Sequence, residues 1–295
     1  MTVAYLMNLA VNGAVEGLLV GLLALAVTLV FGVARFPNAS AGDVAMVGAY
    51  SGWLLQSAIV SLGPLSLVFA GVTAMASAAL VSLALYWLVF RALSGRVGVY
   101  ALIASIGAAF VLRSVVTFFL GHDQQVFAVP LTRALSIGPL RVLPIDLWVG
   151  AIALAAMVCV FVILRMTAMG RRMRAIADNP QLAMVSGIPA ARTMSGLWLM
   201  AGALSGLAGC LLGLKTVIAP EMGWDLLLPA FAATILGSVG NPLGAVIGGV
   251  IIGIAQEVST PFVGFTYKIA IGFVVMLLVL LVRPEGLFVA RARVR

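Results

Sequence analysis

Charge is scarce in this chain. Only 9% of its 295 residues are Asp, Glu, Lys or Arg, where a soluble domain carries about 25%. Histidine is almost absent: His122 is the only one, in the loop Gly121-His-Asp-Gln-Gln125. A lone loop histidine reads as solvated surface. Cys159 and Cys210 are the only cysteines and both lie inside apolar runs. They read as small hydrophobes, which removes a disulfide framework and a thiolate metal site. No Cys/His cluster, Ser/His/Asp set or paired carboxylates occur. There is no Gly-x-x-x-x-Gly-Lys-Ser/Thr loop, so the chain does not bind and hydrolyse ATP by that device. The expectation is a protein that is not an enzyme and carries no cofactor.

What is abundant is apolar surface. Hydrophobic residues make up 63% of the chain and mean hydropathy is +1.21. Folded in water, such a chain would leave large apolar faces uncovered. The lipid bilayer is its solvent. A crossing takes about 20 mainly apolar residues, so the length is spent on spans and no separate soluble domain fits. The net charge of +8 comes from basic residues at the ends of apolar runs. That is where topology puts them, and it needs no nucleic-acid partner. The first apolar stretch is too long for a signal peptide, lacks a basic start and shows no clear cleavage site, so it reads as a retained span.

The apolar runs are Val11–Gly32, Val44–Leu62, Leu65–Phe90, Val97–Leu120, Leu147–Leu164, Leu197–Leu214 and Gly264–Val282. Leu226–Val258 is too long for one crossing and is interrupted by Gly237-Ser-Val-Gly-Asn-Pro-Leu-Gly244, a string of helix breakers. Read as two short crossings with the N-terminus outside, it puts twelve basic residues on the cytoplasmic side: Arg35, Arg91, Arg96, Arg165, Arg171, Arg172, Arg174, Arg192, Arg283, Arg291, Arg293 and Arg295. Four face outward, namely Arg133, Arg141, Lys215 and Lys268, and Arg113 stays in a span. Read as one crossing, it leaves eight on each side. The positive-inside rule selects the first arrangement. The expected fold is an all-α polytopic bundle of eight to nine segments with broken or re-entrant pieces and an inverted repeat. It forms one transmembrane domain, residues 1–295, with a cytoplasmic loop at about 165–192. Glycine pairs four residues apart, such as Gly17/Gly21, Gly48/Gly52, Gly202/Gly206 and Gly240/Gly244, let helix backbones approach closely in lipid.

Ionisable groups inside spans are costly and therefore informative. Glu16 and Glu257 fall near outer ends; Arg113 is deeper and needs an acid or a polar cavity. Two broken regions, Arg35–Asp43 and Gly237–Gly244, are pathway candidates, because non-helical backbone at membrane depth survives only against protein or a water-filled cavity. The pathway residues expected on this ground are Asn38, Ser40, Gly42, Asp43, Arg113, Gly237, Gly240, Asn241 and Gly244. Ordinary turns are the alternative for both regions.

Residues 170–192 are the one substantial polar island. Span five is expected to continue through Arg171–Asp178. Asn179 is then an N-cap with Pro180 at the first helical position. A short helix Pro180–Ser186 follows, and Gly187 suits a left-handed C-terminal turn. Leu182, Ala183 and Val185 form its apolar side. Two turns are unstable alone, so this helix needs the bundle or a soluble partner to pack on.

The segment Arg174-Ala-Ile-Ala-Asp-Asn-Pro-Gln-Leu-Ala-Met-Val-Ser-Gly-Ile188 resembles the coupling loop of membrane subunits in the branched-chain amino-acid (Liv-type) ABC importer family. Asn12-Gly13 with Leu22–Gly32 resembles that family's first span. Phe36-Pro-Asn-Ala-Ser-Ala-Gly-Asp43 with Met46–Tyr50 resembles its Asn-Phe-Ala-His-Gly-Glu and Leu-Gly-Ala-Tyr signature. Leu236–Gly249 and Arg283-Pro-Glu-Gly-Leu-Phe288 resemble its late glycine segment and tail. The resemblance covers nearly the whole chain.

It implies a permease in a bacterial inner membrane, driven by a separate ABC ATPase. That ATPase would dock through Arg174, Ala175, Ala177, Asp178, Asn179, Pro180, Leu182, Ala183, Gly187 and Ile188. It also implies a periplasmic or extracytoplasmic binding protein and a second permease subunit, similar or identical. Where the family often has Phe, Ala and His, this chain has Ala39, Ser40 and Ala41, and Asp43 replaces Glu. Branched-chain amino acids, other small amino acids, urea and short amides all remain open as cargo. A stand-alone secondary carrier or channel for a small polar solute would account for the broken segments and buried charges but not for the capped island. An intramembrane enzyme would need paired catalytic groups that the spans do not offer.

Overall fold

The computed structural model describes residues 3–93, 98–130, 133, 135–137, 140–283 and 286–288. Arg96, Arg291, Arg293 and Arg295 of the basic flanks, and Pro284 and Glu285 of the tail motif, lie outside the described residues. The helices are α1 (Val3–Ala34), α2 (Ala41–Ala58), α3 (Pro64–Leu85), α4 (Arg91–Leu93), α5 (Gly98–Leu120), α6 (Pro144–Met166), α7 (Ala168–Asp178), α8 (Pro180–Val185), α9 (Ala190–Lys215), α10 (Met222–Leu236), α11 (Pro242–Val263) and α12 (Lys268–Val282). A π-helical stretch, Tyr86–Phe90, joins α3 to α4. The loop before α6 carries a small antiparallel ribbon, β1 (Leu135–Ile137) with β2 (Leu140–Val142).

Among the described residues seven helices are long and apolar enough to cross a membrane. The interrupted run predicted at 226–258 is two helices, α10 and α11. Four helices, α3, α6, α8 and α11, open with proline in the first turn, where its missing N–H costs nothing and its fixed φ favours the helix. Burial sorts the bundle into layers. The spans of α1 and α9 are 72% buried, while those of α5 and α12 are 11% and 6% buried. The central helices are therefore α1 and α9, and the outer ones present leucine, valine and phenylalanine outward, as lipid-facing helices must.

The arrangement exchanges two halves. α1 packs most heavily on α11, and α9 on α3; α1 also packs on α10, and α9 on α2. Swapping α1, α2 and α3 for α9, α10 and α11 returns the same pattern of neighbours. Each half is a long buried helix, a six-residue break, a short helix and a proline-started helix. The halves run in opposite senses. Arg35, just past the end of α1, bonds to Ala177 at the end of α7, close to where α9 begins. Lys215, at the far end of α9, pairs at 2.9 Å with Asp146 at the start of α6. This is an inverted repeat, with α2 and α10 as its half-length, buried members.

Close packing rests on glycine in the long helices. A Cβ added at Gly17 would reach the backbone of Gly249 and Val250; one at Gly48 would lie 2.5 Å from the Cα of Gly206; one at Gly209 would overlap the carbonyl oxygen of Ala45. In lipid the association of helices depends on such contact rather than on water exclusion.

One expectation fails. α6 does not continue through Arg171–Asp178; it stops at Met166 and α7 starts anew. Thr167 turns the chain. Its backbone is extended (φ −94°, ψ 161°), its hydroxyl donates to Ile163 O at 2.6 Å and accepts from Gly170 N at 3.3 Å. Gly170 then lies directly against the backbone of Leu164, where a side chain would not fit. The bend lays α7 back over the end of the bundle.

Candidate functional site

Two places gather the residues that the sequence singles out. The first is the stub formed by α7 and α8. Gly170, Met173 and Ile176 are buried at three-residue spacing and hold α7 on the bundle, while Arg171, Arg172 and Arg174 are exposed. Arg174 is anchored through Leu164 O. Asn179 has extended backbone between the two helices, and its Oδ1 accepts from Gln181 N at 3.1 Å and Leu182 N at 3.0 Å. Gly187 closes α8 with φ +79°, its N–H on Met184 O and the Ile188 N–H on Ala183 O, each at 3.0 Å. Within α8 only Ala183 is buried. Leu182 is 63% exposed and Val185 87%, with Met184 beside them. A six-residue helix with both ends secured thus offers its apolar side chains outward.

The stub is tied to the first broken segment. Arg35 donates through Nη2 to Ala177 O at 2.9 Å and Asp178 O at 3.3 Å, the last carbonyls of α7, where a cation is favoured. Arg35 itself has φ +60°, an uncommon conformation for a non-glycine residue. The next residue, Phe36, enters an aromatic cluster with Phe90 (5.2 Å between ring centroids) and Trp198 (6.3 Å). Asn38 Oδ1 accepts from both the N–H and the hydroxyl of Ser40, and Ala39 N donates to Ser105 of α5 at 3.0 Å.

The second place is the junction where this break ends. Gly42, on the first turn of α2, lies face to face with Gly223, on the first turn of α10. A Cβ on Gly223 would sit 2.5 Å from Gly42 O, and one on Gly42 would meet the Gly223 carbonyl. The contact is reciprocal, as a point on the repeat's two-fold axis requires. The two breaks, 35–40 and 216–221, enter from opposite ends of the bundle and meet here. Asp43 is wholly buried. Its Oδ1 accepts from Arg113 Nε and Nη2, both at 3.1 Å. The Arg113 guanidinium lies 5.6 Å from the Trp224 ring and 5.9 Å from Phe110. The 216–221 break is held by Gln125, which exchanges both backbone hydrogen bonds with Ile218 at 2.8 and 2.9 Å.

The structure therefore brings Asn38, Ser40, Gly42, Asp43 and Arg113 together. It does not bring Gly237, Gly240, Asn241 and Gly244 to them. That turn sits at the stub end: Gly237 packs on Gly244, Gly240 approaches Gly32, and Asn241 caps α11 through Gly244 N at 3.2 Å. With Thr28, Arg165 and Arg174 it borders a cavity of about 280 Å³. The segment that faces Asn38–Asp43 is 216–221 with Gly223 and Trp224. Its sequence signal was Ala219-Pro220 before a glycine, a break close to the charged end of a span. Glu16 and Glu257, read as lone outer-end acids, share Lys268 between them. Among the described residues no group of three or more metal-ligating side chains occurs.

Comparison with known proteins agrees with this architecture. Residues 9–281 match the family model described as branched-chain amino acid transport system / permease component. The chain is 29% identical over 305 aligned positions to the high-affinity branched-chain amino acid transport system permease protein LivH of Escherichia coli K12, covering 96% of this chain and 95% of that protein. It is 27% identical to BraD, the corresponding permease protein of Pseudomonas aeruginosa, with the same coverage. A probable branched-chain amino acid transport permease of Methanocaldococcus jannaschii is 30% identical, over 90% of this chain and 87% of its own length. The chain belongs to the family of branched-chain amino acid transport system permease components.

Proposed function

We propose that this chain is the membrane-spanning permease subunit of an ATP-driven importer for branched-chain amino acids or related small amino acids and amides. It acts as one permease domain in a cytoplasmic (inner) membrane, with its N-terminus outside and its C-terminus in the cytoplasm. A separate ABC ATPase binds the stub, a second permease subunit completes the pathway, and an extracytoplasmic binding protein delivers the cargo. The observation that carries this reading is α8: capped at both ends, set on a basic platform, with Leu182, Met184 and Val185 facing outward. A surface of that kind is a helix presented to a groove. The permease names of the relatives support the same reading.

The mechanism follows from rigidity. Closure of the ATPase on nucleotide displaces α8. A flexible loop would absorb the movement; a capped helix joined to α7 through the single residue Asn179 passes it to the bundle. Arg174, Ala175, Ala177, Asp178, Asn179, Pro180, Leu182, Ala183, Gly187 and Ile188 form the coupling unit, and Asn38, Ser40, Gly42, Asp43 and Arg113 belong to the pathway. The test is ATP-driven uptake by the chain co-expressed with its partners. Deletion of Pro180–Val185, or Gly187→Pro, is expected to abolish uptake while the protein still inserts. Uptake and ATPase co-purification at wild-type levels in either variant would remove the coupling role. Solute flux through the chain reconstituted alone would favour a stand-alone carrier, and labelling of Asn179 from the cell exterior would place the stub on the wrong side.

A further inference from the structure

We infer that the junction of α2 and α10 is a cargo-binding point within the permease itself, and that it selects a small zwitterion, the ammonium going to Asp43 and the carboxylate to Arg113. The inference rests on the importer reading and adds a site and a ligand class to it.

Three independent features converge there. The first is unused polar capacity. Asp43 is fully buried, yet only Oδ1 is engaged; Oδ2 is buried without a partner. Trp224 Nε1, across the Gly42–Gly223 contact, is also buried without a partner. Buried polar groups in folded proteins are nearly always satisfied, so a local set of orphans asks for a reason. The second is the backbone. The N-terminal turns of two helices, 18 and 15 residues long, abut at this point, and helix N-termini favour negative charge. Discontinuous helices whose ends meet at the repeat interface are where transporters hold their cargo. The third is access. The Arg113 side chain is 20% exposed and lies over Trp224 and Phe110, an apolar wall suited to an aliphatic side chain.

The resting pair carries both halves of the recognition. Arg113 places two donors on one Asp43 oxygen, and the second oxygen is free to take an ammonium. A carboxylate can replace Asp43 on the guanidinium, in the field of the two helix ends. A zwitterion satisfies both groups as the pair opens. A neutral amide satisfies neither charge, and opening the pair for it would leave both ions without their partner.

The test uses the full complex in proteoliposomes, with L-leucine as the zwitterionic probe and urea and acetamide as neutral ones. The double variant Asp43→Asn with Arg113→Gln keeps a hydrogen-bonded pair and removes both charges. Leucine uptake per ATP hydrolysed is expected to fall about tenfold or more, the scale of losing a charge-assisted contact. The exchanged variant, Asp43→Arg with Arg113→Asp, restores the attraction but reverses its geometry; it should assemble and still fail to import leucine. Wild-type uptake in the neutral variant overturns the proposal. So does recovery of leucine import in the exchanged variant, which would make the pair a structural latch only. If the neutral variant does not assemble, the exchanged variant decides alone on the same criterion. A wild-type complex that imports urea or acetamide and not leucine overturns the zwitterion and leaves the importer standing. A wild-type complex with no ATP-driven uptake of any probe brings down the importer reading itself.

Discussion

Replacing Asn179 with alanine isolates the coupling helix from everything else in the molecule. Asn179 is exposed and its side chain does one thing: Oδ1 accepts from Gln181 N and Leu182 N at 3.1 and 3.0 Å. An N-cap lost to alanine costs about 1 kcal/mol. In a long buried helix that loss would be absorbed. α8 has six residues and one buried side chain, Ala183, and a helix this short has no reserve of its own. The full cost therefore falls on the formed state, and the ratio of formed to unformed helix drops about fivefold, since RT is near 0.6 kcal/mol and 1.4 kcal/mol is a factor of ten. If the ATPase binds the formed helix, its apparent affinity for the permease falls with the formed fraction, by up to the same factor. The assay is a titration of purified ATPase onto nanodisc-embedded permease, read by stimulated ATP hydrolysis. Asn179→Asp restores a capping oxygen and should return affinity to wild type. Equal affinity for the alanine and wild-type proteins, or a loss in the aspartate variant equal to that in alanine, would refute the reasoning.

Other sites give independent expectations. Arg35→Asn tolerates the left-handed backbone at φ +60° but cannot reach Ala177 O, so transport per ATP hydrolysed should fall severalfold while the ATPase still binds. An unchanged ratio in the same nanodisc assay would show that the α7 tie carries no motion. Lys268→Met leaves Glu16 and Glu257 facing each other without their shared cation. Breaking a partly buried ion cluster in this way costs about 1–3 kcal/mol, between the exposed and the fully buried cases, visible as a lowered thermal midpoint in detergent, and a midpoint equal to wild type would mean the cluster is solvated. Gly209→Ala puts a methyl group onto the carbonyl of Ala45, whereas Gly107→Ala meets nothing within 4 Å. The first should destabilise by about 1–3 kcal/mol and the second be neutral or better, and equal unfolding midpoints would contradict the packing described.

What the sequence reveals here is what is decided locally. Asn179-Pro180 and Gly187 are legible as caps because capping is settled within four residues. The apolar runs are legible because lipid selects length and composition, and the split at Gly237–Gly244 follows from breakers within the run. The bend at Thr167 is less so: its hydroxyl competes for the backbone at Ile163 and Gly170, and the same residue in a straight helix would look identical in sequence. The pairings are out of reach altogether. Arg113 at depth asks for an acid or a polar cavity, but nothing local points to Asp43, 70 residues away. Lys268 and Glu16 are separated by 252. Helices apolar on every side carry no stripe to say which face meets which neighbour. For that reason the sequence offers Gly237–Gly244 as the second break, while the segment that meets the first one in space is 216–221 with Gly223.

The two breaks are alike in position and unlike in attachment, and that difference bears on how force from α8 would be used. The 216–221 segment is pinned at the end away from the stub by the paired hydrogen bonds between Gln125 and Ile218, and the same loop is held to α2 by Gln56, which exchanges two bonds with Ala128 at 2.8 and 3.0 Å. The 35–40 segment is fastened instead to α7 through Arg35, to the Trp198 cluster through Phe36 and to α5 through Ala39. A helix resists axial displacement because every turn is bonded to the next; six residues without such bonds do not. On the importer reading, a shift of α8 and α7 draws on Arg35, and the strain reaches the junction at Gly42 before it can deform α1 or α9. The anchored half supplies the fixed point. Opening would then begin where Asp43 and Arg113 meet, at the ion pair that joins the N-terminal turn of α2 to α5.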